Sequence, residues 1–239
     1  MTCIQILQKL HTLADPDTLE FKRKKFGIVA NNALGVYMKD LKPIVKEIGR
    51  DNELALELFD SGVYEGRILC CKTFSPKDIT EALMEKWVAT FENWEVCDSF
   101  SMTLFARSPL AIKKINQWSK RKPEFEKRAA FATMAAYCMA DKKADNNVYE
   151  AFIPLIVREA NDERLYVKKA INWALRSIGK RNPDLNKVAV ATAIQISEEN
   201  PTSKTAQWIA KDAIRELTAE KVNILDYPRV IYRPDGKKK

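Results

Sequence analysis

Histidine is almost missing from this chain: His11 is the only one in 239 residues. That excludes a multi-histidine metal site within one chain and argues against a histidine-based triad. Cysteine is scarce too. Cys3, Cys70, Cys71, Cys97 and Cys138 make an odd set with one adjacent pair and no Cys-x-x-Cys, so neither a disulfide framework nor a zinc site is indicated. Glycine occurs only 7 times, which disfavours loop-rich folds. No apolar run approaches the roughly 18 residues that a membrane span needs. The first 15 residues follow an amphipathic helical spacing (Ile4, Leu7, Leu10, Leu13) and lack the basic start and apolar core of a signal peptide. These absences predict a soluble, cytoplasmic protein without metal or cofactor. If it is an enzyme, carboxylates and aromatic rings must carry the chemistry.

Alanine, leucine, isoleucine, lysine and glutamate are plentiful, and apolar residues recur at helical spacing almost throughout. The spacing predicts helices over 2–14, 17–25, 40–49, 52–60, 64–72, 78–90, 93–106, 109–119, 123–140, 147–160, 163–180, 184–198 and 203–218. The breaks carry stop and start residues, such as Asp15-Pro16-Asp17, Ser75-Pro76, Asn182-Pro183-Asp184 and Asn200-Pro201-Thr202-Ser203. Arg128-Ala129-Ala130, Lys169-Ala170-Ile171 and Asp212-Ala213-Ile214 take similar places in three long helices, about 41 to 43 residues apart. Two helices per period of about 40 to 47 residues is HEAT/armadillo spacing. The expectation is an all-α fold, a curved right-handed α-solenoid of HEAT-like repeats with a concave basic binding cleft. One domain is expected over 1–225, followed by a basic tail over 226–239.

The net charge of +8 is unevenly spread. Residues 1–100 hold 13 Lys/Arg against 16 Asp/Glu, whereas residues 101–239 hold 27 against 16. A basic surface concentrated in one half suggests a polyanion partner, nucleic acid first. A basic protein that is merely soluble, or a scaffold for other proteins, would share this feature.

Three segments carry candidate functional groups. Residues 168–180 form a helical stretch with no acid, in which Lys169, Trp173, Arg176 and Lys180 share one face by their 4-3-4 spacing. Such a face suits a phosphate backbone, although a solvated face with a packing tryptophan has the same pattern. In residues 91–100, Trp94 and Asp98 are four apart and lie on one helix face. Arg128 opens an alanine-rich helix, where it either pairs with a surface acid or holds a phosphate. One carboxylate without histidine suits few reactions. One of these is cleavage of a glycosidic bond to a purine already positive through N3 or N7 alkylation, since that base departs without needing a proton. The sugar then becomes oxocarbenium-like, a carboxylate stabilises it and orients water, and tryptophan faces favour the cation.

On these residues the chain resembles the AlkD-type DNA alkylation repair glycosylases, a family of HEAT-like repeat proteins. The resemblance runs through Phe26-Gly27-Ile28 to Leu34-Gly35-Val36, residues 54–59, Trp94 to Asp98, Lys127-Arg128-Ala129-Ala130, and Lys169 to Arg176. It implies Asp98 as catalytic aspartate, Arg128 as phosphate-binding arginine, and Trp94 and Trp173 as active-site tryptophans. It also implies that Arg176 and Lys180, with Lys169 and Phe26, contact DNA. The partner would be double-stranded DNA containing alkylated bases, acted on by a monomeric, monofunctional glycosylase without a base-flipping pocket. Three positions depart from the family pattern: Asn93 replaces the first of two adjacent tryptophans, Glu95 replaces an aspartate, and Phe26 replaces a tyrosine. Relatives that bind DNA without glycosylase activity exist in the wider superfamily, so a non-catalytic DNA-binding protein stays an alternative.

Overall fold

Seven of the helices begin where the sequence supplies a side-chain oxygen to take a first free backbone N–H group. In the computed structural model, which describes residues 1–222, 224 and 225, Thr2, Asp51, Thr80, Asn93, Asn182 and Ser203 each accept a backbone N–H three residues on. Asp15, ahead of Pro16, accepts the backbone N–H of Asp17, two residues on. The first eight α-helices are α1 (Cys3–Thr12), α2 (Pro16–Phe26), α3 (Met38–Ile48), α4 (Asn52–Asp60), α5 (Tyr64–Thr73), α6 (Glu81–Val88), α7 (Trp94–Thr103) and α8 (Ala111–Trp118). They are followed by α9 (Glu124–Ala140), α10 (Asn146–Glu150), α11 (Ile153–Glu159), α12 (Leu165–Gly179), α13 (Pro183–Glu199) and α14 (Lys204–Leu217). A 3₁₀ turn spans Phe105–Arg107, and no strand occurs among the described residues. None of these helices is long and apolar enough to cross a membrane.

Two expected helices differ from the observed ones. The stretch 147–160 divides into α10 and α11 because Pro154 stands in the first turn of α11. Its ring would strike the carbonyl four residues back, and it has no N–H to donate, so the helix restarts there. The stretch 93–106 leaves α-helical geometry after Thr103 and closes with the 3₁₀ turn. The expected tail over 226–239 lies outside the described residues.

The chain folds as two compact units, residues 1–111 and the described residues from Ile112. The first holds α1–α7 and the 3₁₀ turn. At its centre Trp87 is fully buried, with the rings of Phe59, Phe74 and Phe100 at 5.6, 5.3 and 5.5 Å. In the second unit α12 packs against α9, α13 and α14. Ala129, Ala170 and Ala213, the repeated alanines of the sequence, are all fully buried. Small side chains at these positions let the backbones approach closely, and Gly179 continues the theme. A Cβ there would meet Leu217 Cδ1 at 2.6 Å.

The link from α2 to α3 is held from within the first unit. Glu65 is almost fully buried, and its carboxylate accepts the backbone N–H groups of Leu34, Gly35 and Val36 at 2.9, 2.9 and 3.2 Å. Gly35 adopts φ +83, and a Cβ on it would lie 2.1 Å from the Asp15 carbonyl oxygen. Both the left-handed backbone and the close approach require glycine. Gly35→Ala is therefore expected to destabilise the protein by about 2 kcal/mol or more. Chemical denaturation with and without the substitution measures this directly, and an unchanged midpoint would contradict it.

Candidate nucleic-acid interface

In the first unit, α7 presents the Trp94–Asp98 pair. Its start is fixed by Asn93, which is almost fully buried and makes three hydrogen bonds. The Asn93 side chain accepts from Val96 N at 3.1 Å and from the Tyr64 hydroxyl at 3.1 Å, and it donates to the Val29 carbonyl at 3.0 Å. The Tyr64 hydroxyl also donates to Glu95 at 3.0 Å, and Lys22 donates to both Glu95 oxygens at 2.9 and 3.0 Å. Burial, with the Glu95 charge beside it, pushes the Tyr64 hydroxyl far above its ordinary pKa, so it stays a neutral donor. Two of the departures from the family pattern, Asn93 and Glu95, are thus structural members of α7's mooring.

Trp94 is half-buried, and its indole N–H donates to the Phe26 carbonyl at 3.0 Å. The Phe26 and Trp94 rings meet edge to face at 6.4 Å, and Phe21 meets Phe26 at 5.6 Å. Lys25 lies 5.0 Å from the Phe21 centroid and 5.7 Å from that of Phe26. Phe21 and Phe26 are both exposed, at 41% and 43%. An aromatic patch with a cation over it therefore borders Trp94. Asp98 follows one turn along α7, half-exposed like Trp94. Of the residues singled out in the sequence, Phe26, Trp94 and Asp98 lie in this unit, Phe26 exposed and the other two partly so. Sequence reasoning missed Tyr64, Lys22 and Phe21, which have no local pattern linking them to α7.

The second unit holds Arg128, Lys169, Trp173, Arg176 and Lys180. Arg128 is nearly buried and donates from Nη1 to the Tyr166 carbonyl at 2.5 Å, which ties α9 to α12. Trp173 is half-buried on α12, and Lys169 is exposed. Arg176 and Lys180 are already engaged by carboxylates of α14. Glu216 pairs with both of them, and Asp212 stands 3.7 Å from Arg176 Nε. Burial opposes the Glu216 charge, but hydrogen bonds from Lys180 and Arg176 outweigh it and hold its carboxyl below the usual range. The acid-free stretch 168–180 is therefore not acid-free in space.

Cys71 and Cys138 are not poised as nucleophiles. Burial raises Cys71 to about 11 and Cys138 to about 12, far from the thiolate a nucleophile requires.

Residues 6–217 match the family described as DNA alkylation repair enzyme. A solved structure described as belonging to a new family of proteins related to the HEAT-like repeat DNA glycosylases, with affinity for branched DNA structures, is similar in fold. It is 19% identical, with a TM-score of 0.71 over 97% of this chain and 99% of that chain. No curated protein matches the chain.

Two outcomes follow from these contacts. Asn93→Ala removes the α7 cap and strips Tyr64 of a partner, so a loss of about 1 to 2 kcal/mol in unfolding free energy is expected by chemical denaturation. Glu216 has a lowered folded pKa, so its contribution to stability is complete above the unfolded carboxylate range and fades as pH falls through the folded value. Glu216→Gln should flatten that part of the acid limb, by about 1 kcal/mol or less for so exposed a network. Parallel pH-stability curves for the two proteins would refute this.

Proposed function

The chain belongs to the DNA alkylation repair enzyme family, and from that premise we propose that it is a monofunctional DNA glycosylase acting on positively charged N3- and N7-alkylated purines in double-stranded DNA. The observation that carries the reading is the Trp94–Asp98 pair, half-exposed on a firmly capped helix and bordered by the Phe26 ring.

The bond broken is the one between C1′ of the sugar and the purine nitrogen. Its electron pair leaves with the base and neutralises the alkylpurine, so no general acid is needed. The sugar is left oxocarbenium-like. The Asp98 carboxylate stabilises that positive charge and orients a water, whose oxygen bonds to C1′ and whose proton passes to solvent. The indole face of Trp94 suits the sugar and its developing charge, and Trp173 offers a ring of the same kind on the second unit. Arg128, directed by the Tyr166 carbonyl, suits a phosphate, with Lys169, Arg176 and Lys180 as further cations for the backbone. This chemistry calls for neither a metal nor a cofactor.

A second reading has its own support. The solved structure similar over nearly the whole chain is described as having affinity for branched DNA, so a DNA-binding protein without catalysis would share this fold.

Release of free 7-methylguanine and 3-methyladenine from methylated duplex DNA separates the two. Asp98→Asn is expected to slow release by roughly 100-fold or more, the scale of losing one transition-state charge partner, with DNA binding largely kept. Normal release by the variant would remove Asp98 from the mechanism. No release by the wild type, together with tight binding to branched DNA, would favour the second reading.

A further inference from the structure

The sequence holds five tryptophans, and their exposure sorts them by task. Trp87 and Trp118 are fully buried core residues, and Trp94 and Trp173 are half-buried. Trp208, on α14, is exposed at 40% and takes no part in the function described above. An indole left this far in water costs hydrophobic free energy that burial would recover. Its surroundings show what it suits.

Lys204, Trp208, Lys211 and Arg215 are all exposed and share one face of α14. Their 4-3-4 spacing repeats that of Lys169, Trp173, Arg176 and Lys180 on α12. On α12 two of the three cations are taken by carboxylates. On α14 only Arg215 is, by Asp212, and Lys204 and Lys211 make no ion pair among the described residues. Lys168 of α12 adds a further cation, 5.8 Å from the Trp208 ring centroid. Beside the face runs a shallow groove of about 390 Å³ lined by Ser197, Gln207, Ala210, Lys211, Ile214 and Arg215.

Along the helix axis, Lys204 and Trp208 are about 6 Å apart and Trp208 and Lys211 about 4.5 Å. Cation, ring, cation in a line complements phosphate, base, phosphate in a single strand. In an intact duplex the base faces are stacked and inaccessible, so a flat ring on a basic face finds its full use only where a base is unpaired. We propose that this face of α14 binds a single-stranded DNA segment, with an unpaired base stacked on Trp208 and neighbouring phosphates on Lys204 and Lys211. The inference rests on the DNA-binding reading above, extends it to a different helix face, and makes no use of Asp98.

The test compares a blunt duplex with the same duplex carrying a ten-nucleotide single-stranded overhang, by fluorescence anisotropy over a salt series. The wild type should bind the overhang substrate more tightly. Trp208→Ala should erase that preference, weakening overhang binding by roughly tenfold, with little change for the blunt duplex. Trp208→Phe, which keeps a ring, should retain most of it. K204E/K211E should lower the slope of log affinity against log salt by about 1.4 for the overhang substrate, the value for two single-strand phosphate contacts. The proposal is overturned if the wild type shows no overhang preference, if Trp208→Ala keeps it, or if Trp208→Ala weakens both substrates equally. Base release from a methylated blunt duplex should be the same in wild type and Trp208→Ala. If the wild type binds DNA but releases no base, the glycosylase reading fails while the overhang preference is still decided by its own measurements.

Discussion

Two adjacent side chains at the head of α5 hold the first unit's candidate site in place. Tyr64 reaches Asn93 and Glu95 at the start of α7, and Glu65 collects three backbone N–H groups from the link between α2 and α3. A buried carboxylate is costly unless it is fully hydrogen-bonded, and these donors satisfy it. Because the two residues are neighbours on one helix, the link and α7 share a rigid mount. Trp94 then depends on both ends of this arrangement, since it begins α7 and donates to the carbonyl that ends α2. A change in either half would move the aromatic patch before it touched Asp98.

The second unit solves a different problem. Its basic residues project from helices whose buried faces include alanines and Gly179 at the points of close approach, so the backbones lie close and the cations are crowded. Carboxylates and carbonyls relieve that crowding. Glu216 serves Arg176 and Lys180 together, the Tyr166 carbonyl holds Arg128, and the carbonyls of Cys138 and Asp141 hold the fully buried Arg181 at 2.6 and 2.7 Å. The Arg181 guanidinium also lies 3.8 Å from the Tyr149 ring centroid. Close packing and high positive charge coexist because nearly every inward cation has been given an oxygen.

Helix starts were the most legible part of the fold, because capping is local: Asn93, Asn182 and Ser203 announce α7, α13 and α14 within four residues. The break at Pro154 is equally local, but the apolar spacing continues across it and hides it. What local pattern cannot show is pairing across 31 or 73 residues, as between Tyr64 and Glu95 or Lys22 and Glu95. Asn93 was legible only as a departure from a family pattern, and its role as a cap with two long-range partners needed the fold. The pairing of Arg176 with Glu216 is an instructive middle case. Those residues are 40 apart, and Arg128 and Tyr166 are 38 apart, close to the repeat of the alanines. The period that signalled the fold also says which residues become neighbours, so the acids opposite the 168–180 face were within reach of the sequence. Asp98 is different: its chemistry comes from the family likeness, and its exposure on α7 is compatible with that likeness.

The shared Glu216 changes what attraction to a polyanion means on α12. In the free protein Arg176 and Lys180 are not bare charges but a loaded ion exchanger, with a built-in anion occupying the place of the incoming one. Capture of a phosphate there would swap one partner for another. The net gain is a difference between two similar terms, in place of the full attraction of an open cation. Such a surface adheres weakly to anions in general. On the proposed function, it would reward only a ligand whose other contacts hold its phosphates there long enough for the exchange to complete.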